Sequence, residues 1–330
     1  TGLKWIDGVS GIVEFCRRFP DEEACLQLIF EKKFGDHTPC PHCGVTGGWG
    51  RVKGTKKYYH RCKMQVSPLK DTAFYRSNIT LSAYFYAILL FSNSSSGVRS
   101  SFLRRQLGLL PKSAHRLCNR IRLHMATYER PAKLGGPGTL VEVDEVLLRH
   151  VLAPGKNQHE AMIIMGLACQ GKVITGMVAD RKRKSLHANI LKFVEPGSRI
   201  VTDDWVAYKG LDRLGFEHIS VNHSKGFFNE DGYSTSAIDS YWATLRRAMR
   251  GYHQVAAPNL WLFLAEIECR YNSRHDGGAL FDKLISHWPA LTPRSILTYE
   301  RRFDWRSKCD LDGEIVPDSL MPARSEPRRQ

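Results

Sequence analysis

Three acidic residues sit where acids are costly, and that placement is the first sign of chemistry in the chain. Asp144 interrupts the apolar run Val141-Glu142-Val143-Asp144-Glu145-Val146, Asp203 follows directly on Ile200-Val201-Thr202, and Asp239 falls in the first turns of a helical stretch. Burying an isolated carboxylate on a core strand is strongly unfavourable unless a cation or hydrogen-bond donors compensate. A divalent cation is the natural partner for such groups, and an all-oxygen ligand set favours Mg²⁺ or Mn²⁺. The ordinary alternative makes Asp144 and Asp203 edge or turn acids and Asp239 a helix N-terminal acid favoured by the dipole. It leaves unexplained why all three fall in slots that one sheet would bring together. Glu142, Glu145 and Asp204 are read as adjacent decoys: strand alternation puts Asp144 on the face opposite Val143 and Glu145, so only one of the cluster is expected to point at the site. Arg246 lies seven positions after Asp239, two turns along the same helix face.

The second chemical set is Cys40, Cys43 and Cys62. From Pro39 to Ser67 the pattern is Cys, Gly, Lys and Tyr without a helical period, which suggests a small metal-stapled ribbon. The nine cysteines are an odd, scattered count, unlike a disulfide scaffold, so most of the others are expected as buried thiols.

Elements that would hold these groups can be read around them. Asp21 to Phe34 reads as a short helix after Pro20, and residues 79 to 92 as a buried one. Val98 to Leu107, the turn Gly108-Leu109-Leu110-Pro111, and Lys112 to Met125 have the pattern of a helix-turn-helix. In its second helix Lys112, His115, Arg116, Asn119 and Arg120 share one face, opposite Ala114, Leu117, Ile121 and Met125. That face is a candidate for the DNA major groove, the ordinary alternative being a helical hairpin with a solvated basic side. After the Gly/Pro-rich linker 131–138 the period becomes β-like. Strands are expected at Thr139 to His150, Ala161 to Cys169 and Val173 to Ala179, with a tight reversal at Gln170-Gly171. A helix at Ser185 to Val194, a strand at Arg199 to Thr202, a helix at Trp205 to Leu214 and a strand at Phe216 to Val221 follow. Ser236 to Arg250 and Asn259 to Arg274 complete the helices. The order βββαβαβα is that of the RNase H-like fold, in which the first and fourth strands are neighbours and the next helix crosses beside them.

Length and charge bound the rest. A chain of 330 residues is expected to hold several modules. It is expected to divide into an N-terminal helical segment (1–37), a zinc-ribbon-like module (38–70), a helical DNA-binding module (71–130), a linker (131–138), an RNase H-like catalytic domain (139–306) and a flexible tail (307–330). Hydrophobic and charged fractions of 42% and 25% exclude a wholly disordered or collagen-like chain. No apolar run approaches the ~20 residues needed to cross a bilayer. The opening Thr1-Gly2-Leu3-Lys4-Trp5 lacks a signal-peptide pattern, so a reducing compartment is expected: the cytoplasm and nucleoid in a bacterium, the nucleus in a eukaryote. Residues 51 to 125 hold 15 Lys and Arg against one acid, Asp71, and so carry nearly all of the net charge of +15. A basic block mixed with Tyr58, Tyr59 and His60 favours a polyanion partner through counterion release.

Taken in order, the motifs resemble one family. They are Cys40-Pro-His-Cys43-Gly, Arg61-Cys62-Lys, Val141-Glu-Val-Asp144-Glu, Thr202-Asp203-Asp-Trp205-Val-Ala-Tyr208, Val221-Asn-His223-Ser-Lys-Gly226, Ile238-Asp239-Ser-Tyr-Trp242, Arg246-Arg247 and Gly251-Tyr-His253. From about Phe19 to Trp288 the chain is similar to bacterial insertion-sequence DDE transposases with an N-terminal zinc ribbon, of the ISXO2-like, Merlin-related kind. The resemblance implies binding of terminal inverted repeats by the front half and phosphoryl transfer by the back half. It implies two Mg²⁺ or Mn²⁺ ions on Asp144, Asp203 and Asp239, Arg246 holding a phosphate, and a homodimer or higher oligomer acting on terminal-repeat and target DNA. No membrane partner is implied. Two departures stand out. The family's ribbon usually has a second Cys-x-x-Cys pair, whereas Cys62 is followed by Lys63-Met64-Gln65, leaving His60 or His42 to complete a Zn²⁺ site, or the ribbon empty. An i,i+2 donor beside Cys62 is awkward. The third acid, usually Glu, is Asp239. A decayed transposase that only binds DNA, favoured by the missing cysteine, and a metal-dependent nuclease of the same fold are the competing readings.

Overall fold

The structure is a computed structural model that describes residues 11–35, 37–75, 77–128, 130–152, 159–222, 232–276, 279–287 and 292–305. The expected tail, the first ten residues and the His223 to Gly226 motif lie outside the described residues. The chain forms two compact units that do not follow chain order, residues 1–130 with 243–300, and residues 131–242 with 301–330.

The first unit opens with α1 (Ile12–Arg18) and α2 (Glu22–Phe34). Asp21 sets the start of α2, its carboxylate accepting the Ala24 amide at 2.8 Å. A three-stranded antiparallel ribbon follows, β1 (Trp49–Arg51), β2 (Tyr58–His60) and β3 (Gln65–Val66). Then α3 (Leu81–Asn93), capped by Thr80, buries Tyr84, Phe85, Ile88 and Phe91 completely, as its unbroken apolar run requires. The chain leaves α4 (Ser100–Leu107) through Gly108, whose φ of 63° is the left-handed conformation that glycine adopts without strain. It enters α5 (Pro111–Thr127) with Pro111 as the first helical residue instead of the last turn residue, because the proline's missing N–H would be unpaired there anyway. Ala114, Leu117, Ile121 and Met125 of α5 are buried, as their spacing predicts.

The second unit is built on five strands. They are β5 (Leu140–Leu152), β6 (His159–Cys169), β7 (Lys172–Val178), β9 (Arg199–Asp203) and β10 (Glu217–Val221), with a small pair β4 (Leu134–Gly135) and β8 (Val194–Glu195) beside them. The spatial order is β10-β9-β5-β6-β7, with β5, β9 and β10 parallel and β6 and β7 antiparallel, the mixed sheet expected from the RNase H-like element order. Gln170 and Gly171, with φ of 47° and 77°, make the tight β6–β7 reversal. The helix α6 (Arg183–Phe193) covers one face through Leu186 and Ile190, against Val141, Val143, Met165 and Leu167. The first turns of α7 (Ser236–Tyr252) belong to this unit as well. The helix expected at Trp205 to Leu214 is instead two 3₁₀ turns, Val206–Tyr208 and Leu211–Leu214. Gly210 at φ 95° separates them and Gly215 at φ 85° ends the second, so no continuous helix can form.

Beyond Trp242 the chain returns to the first unit with the rest of α7, then α8 (Leu260–Asn272), α9 (Leu280–Ser286) and most of α10 (Pro293–Phe303). The helices α5 and α8 are joined by a buried ion pair, Arg122 Nε to Glu266 Oε2 at 2.8 Å. The Arg122 guanidinium also lies 3.9 Å from the centre of the Phe263 ring and donates to the Val98 carbonyl. Tyr252 donates to the other Glu266 oxygen at 2.6 Å, so both charges are compensated inside the core. Among the described residues no helix is long and apolar enough to cross a membrane.

Candidate functional site

Asp144 and Asp203 come from neighbouring parallel strands. The β5–β9 register pairs Leu140 with Arg199 and Glu142 with Val201, and each acid lies two residues further along its strand, on the same side of the sheet. Asp144 is half-buried, its Oδ2 accepting from the Trp242 indole at 2.8 Å. Burial pushes its carboxyl up to about 6, with the charges of Glu145 and Asp203 adding to the rise and the Glu145 amide and Trp242 opposing it. Asp203 ends β9, where its Oδ1 accepts the Trp205 amide at 3.1 Å. Asp239 is exposed on the first turn of α7, its Oδ2 accepting the Thr235 hydroxyl at 3.1 Å. A half-buried carboxylate beside a second one, with its ionised form disfavoured, is a group that gains from a cation, so the pair fits a hard divalent metal.

The helix that carries Asp239 is fixed to the sheet from below, by residues to which the sequence reading gave no role. Glu142, two positions before Asp144 and on its face, accepts both the Ala237 and Ile238 amides through Oε2, at 2.8 and 2.9 Å. It thereby satisfies the orphan N–H groups at the start of α7. Burial raises the Glu142 carboxyl, the two amides lower it, and the charge of Asp239 raises it further. Gly166, opposite Asp144 on β6, makes room for Trp242 and Ile238. A Cβ at position 166 would stand 2.5 Å from the Trp242 ring and 2.8 Å from Ile238 Cδ1. Gly166→Ala is therefore expected to destabilise the protein by about 1–3 kcal/mol through overpacking, read as a lower Tm. An unchanged Tm would mean that α7 does not rest on β6. On the opposite face Glu145, whose side chain is 1% exposed, accepts from Arg181 Nε at 2.6 Å and from the Tyr208 hydroxyl.

The ribbon cysteines form a different kind of site. Sγ of Cys40, Cys43 and Cys62 and a ring nitrogen of His60 all lie within 4.8 Å of one another, the one such group among the described residues. The acid triad is not gathered this tightly. Cys40 and Cys62 Sγ are 3.8 Å apart, and Cys43 Sγ is 3.5 Å from His60 Nδ1. Thiolates ~2.3 Å and an imidazole ~2.05 Å from one tetrahedral Zn²⁺ would stand ~3.8 and ~3.5 Å apart, so the donor set fits zinc. His60 Nε2 donates to the Gly47 carbonyl at 2.7 Å, which leaves Nδ1 to face the sulfurs. That contact resolves the awkward i,i+2 spacing. His60 uses its proximal nitrogen, 3.1 Å from Cys62 Sγ, and the chain reverses tightly at Lys63, φ 68°. Desolvation raises the Cys40 thiol, and the amides of Cys43 and His42 together with the Cys62 and Cys43 thiols oppose it, holding it below the usual range. His42 is not in the group.

Residues 134–272 match the family model of the ISXO2-like transposase domain. No curated protein matches the chain. The matched stretch begins at β4 and ends with α8, so it contains the whole five-stranded sheet, both strand acids and α7. It supports a transposase function. Outside the transposase-like stretch, Lys112, His115 and Arg116 are exposed on α5 and Asn119 and Arg120 half-buried. Asn119 Oδ1 accepts from Arg122 at 3.2 Å, so this amide also serves the fold. Arg246 is exposed on α7, seven residues beyond Asp239.

Sequence reasoning passed over Glu142 because an acid next to Asp144 looks redundant until its amide partners, 95 and 96 residues away, are known. Their common face was the available signal, since residues two apart on a strand point the same way.

Proposed function

We propose that the protein is a DNA transposase that binds the terminal inverted repeats of its element and carries out metal-dependent strand cleavage and strand transfer. The observation that carries this reading is the transposase-domain match over a sheet whose adjacent parallel strands bear Asp144 and Asp203. Asp144, Asp203 and Asp239 would hold two Mg²⁺ or Mn²⁺ ions. Bound there, such ions lower the pKa of an attacking oxygen and stabilise the leaving one. The chain's own part is positioning: Trp242 orients Asp144, the Trp205 amide orients Asp203, and Glu142 anchors the helix start from which Asp239 projects. Arg246 would hold a phosphate. In the reaction water attacks a phosphodiester at the element end and frees a 3′ hydroxyl, which then attacks a phosphodiester of target DNA. No covalent protein intermediate is needed. A Cys₃His set that can take zinc without a fourth cysteine weakens the case for a decayed, binding-only relic.

The test is incubation of the full chain and Mn²⁺ with a plasmid bearing the DNA that flanks its gene. Nicking at the repeat ends followed by joining to target supports the reading, and cleavage without joining would make the protein a nuclease. Terminal-repeat binding is expected to weaken steeply with salt, because Lys112, Arg116 and Arg120 neutralise phosphates. Arg116→Ala should lower the slope of log K against log salt by about one. A fragment covering residues 139–300 that kept all of the repeat affinity would overturn this placement.

A further inference from the structure

The residue after the second strand acid but one is a tryptophan that the fold leaves in solvent. Trp205 is 42% exposed and Val206 beside it 55% exposed, although Ala207 and Tyr208 immediately following are buried. Trp205 is held in place nonetheless. Its amide donates to Asp203 Oδ1, and its indole N–H reaches the Arg181 carbonyl at 3.5 Å. The Arg181 guanidinium lies 4.8 Å from the indole ring centre. Arg181 is itself pinned, because its Nε donates at 2.6 Å to Glu145, and that carboxylate is also held by Tyr208. The result is a flat aromatic and a flat cation, both fixed and both partly open to solvent, one hydrogen bond from Asp203.

We infer that Trp205 and Arg181 form a stacking platform for an unpaired nucleobase of the DNA strand being processed. The inference rests on the transposase reading above and adds to it the ligand of these residues. Every base has a π-face, so an aromatic ring backed on one side by a guanidinium receives any of them, and the cation suits a polyanionic strand. Bases taken out of a stack are held against aromatic and apolar side chains, and Trp205 is such a side chain beside the strand acid Asp203. Pinning Arg181 through buried Glu145 lowers the entropy lost when a base docks. Nothing in the bond pattern of Glu145, Arg181 and Tyr208 is needed to orient Asp203, which has its own amide donor.

The experiment uses the full chain with Ca²⁺ in place of the catalytic metal and two probes, a blunt 30-base-pair duplex and the same duplex with a three-nucleotide single-stranded overhang carrying 5-iododeoxyuridine. Ultraviolet crosslinking followed by mass spectrometry is expected to map the overhang to the peptide containing Trp205. Trp205→Ala and Trp205→Leu should each weaken overhang binding about 10-fold, Trp205→Phe should keep it, and blunt-duplex binding should not change. Leucine keeps the apolar area without the π-face, so retained binding by Trp205→Leu would overturn stacking. Crosslinks confined to other residues, or a Trp205→Ala change in oligomer mass with overhang binding intact, would also overturn the inference, the latter assigning the surface to a second copy of the chain. A full chain that binds neither probe overturns the transposase reading itself.

Discussion

Asp144→Asn and Asp203→Asn are each expected to lower the rate of DNA strand cleavage by at least about 10³-fold, while DNA affinity stays within about two-fold. Loss of one charged ligand removes several kcal/mol of transition-state stabilisation at a metal site, and each ~1.4 kcal/mol is a factor of ten. The same substitution should act oppositely on stability. The Asp144 carboxyl is pushed up to about 6 by burial and by its acidic neighbours. Because this value lies above that of an unfolded Asp, the folded state binds more protons between pH ~4 and ~6, and stability falls as pH rises through that window. Above it the ionised carboxylate weighs against folding by on the order of 2–3 kcal/mol. Without added divalent cation, Asp144→Asn should therefore raise the Tm at pH 8 and leave it nearly unchanged at pH 4. Mn²⁺ should raise the Tm of the natural chain and not of the variant. Asp239→Asn should also abolish cleavage, while Asp239→Glu, which restores the longer side chain usual in the family resembled, should remain active. Cleavage by Asp144→Asn and Asp203→Asn at the natural rate would show that the acids are not the site.

Much of this arrangement was legible in residue order, because it depends on local periodicity. Asp144 and Asp203 are conspicuous in Val- and Ile-rich runs, and a βββαβαβα order makes the strands that bear them neighbours, as the β5–β9 pairing shows. What could not be read depends on distant partners. Arg122 looks like one more charge on a basic helix, yet it is buried against Glu266, 144 residues later. That pair draws α8 onto α5, so a stretch that chain order attaches to the sheet packs with the front of the molecule instead. Gly166 gives no local signal either, since its need for hydrogen in place of a side chain comes from Trp242, 76 residues downstream. The helix expected at Trp205 to Leu214 failed for the reverse reason. Two glycines with positive φ outweigh an apolar period.

Removal of zinc is expected to unfold the ribbon, and His60 should matter for it as much as any cysteine. In such modules metal binding is folding free energy, with apparent values of about 10–16 kcal/mol in zinc-finger peptides. The ribbon strands are only two or three residues long, so their own hydrogen-bond ladder adds little beside the metal. Loss of an outer-shell partner alone costs about 10–100-fold in metal affinity, so His60→Ala, which removes a ligand, should cost at least about 100-fold. Competition with a chromophoric chelator would measure this directly. Position 65 supplies the decisive control. The family resembled would have a fourth thiolate there, but Gln65 is exposed on β3, and His60 Nδ1 lies with the three sulfurs instead. Gln65→Cys should therefore hold zinc no more tightly than the natural chain, and one zinc per chain should be retained on purification. His60→Cys should keep the metal, because a thiolate can replace an imidazole at a tetrahedral site. If Gln65→Cys bound zinc markedly more tightly while His60→Ala changed nothing, the fourth corner of the site would belong to β3 and not to His60.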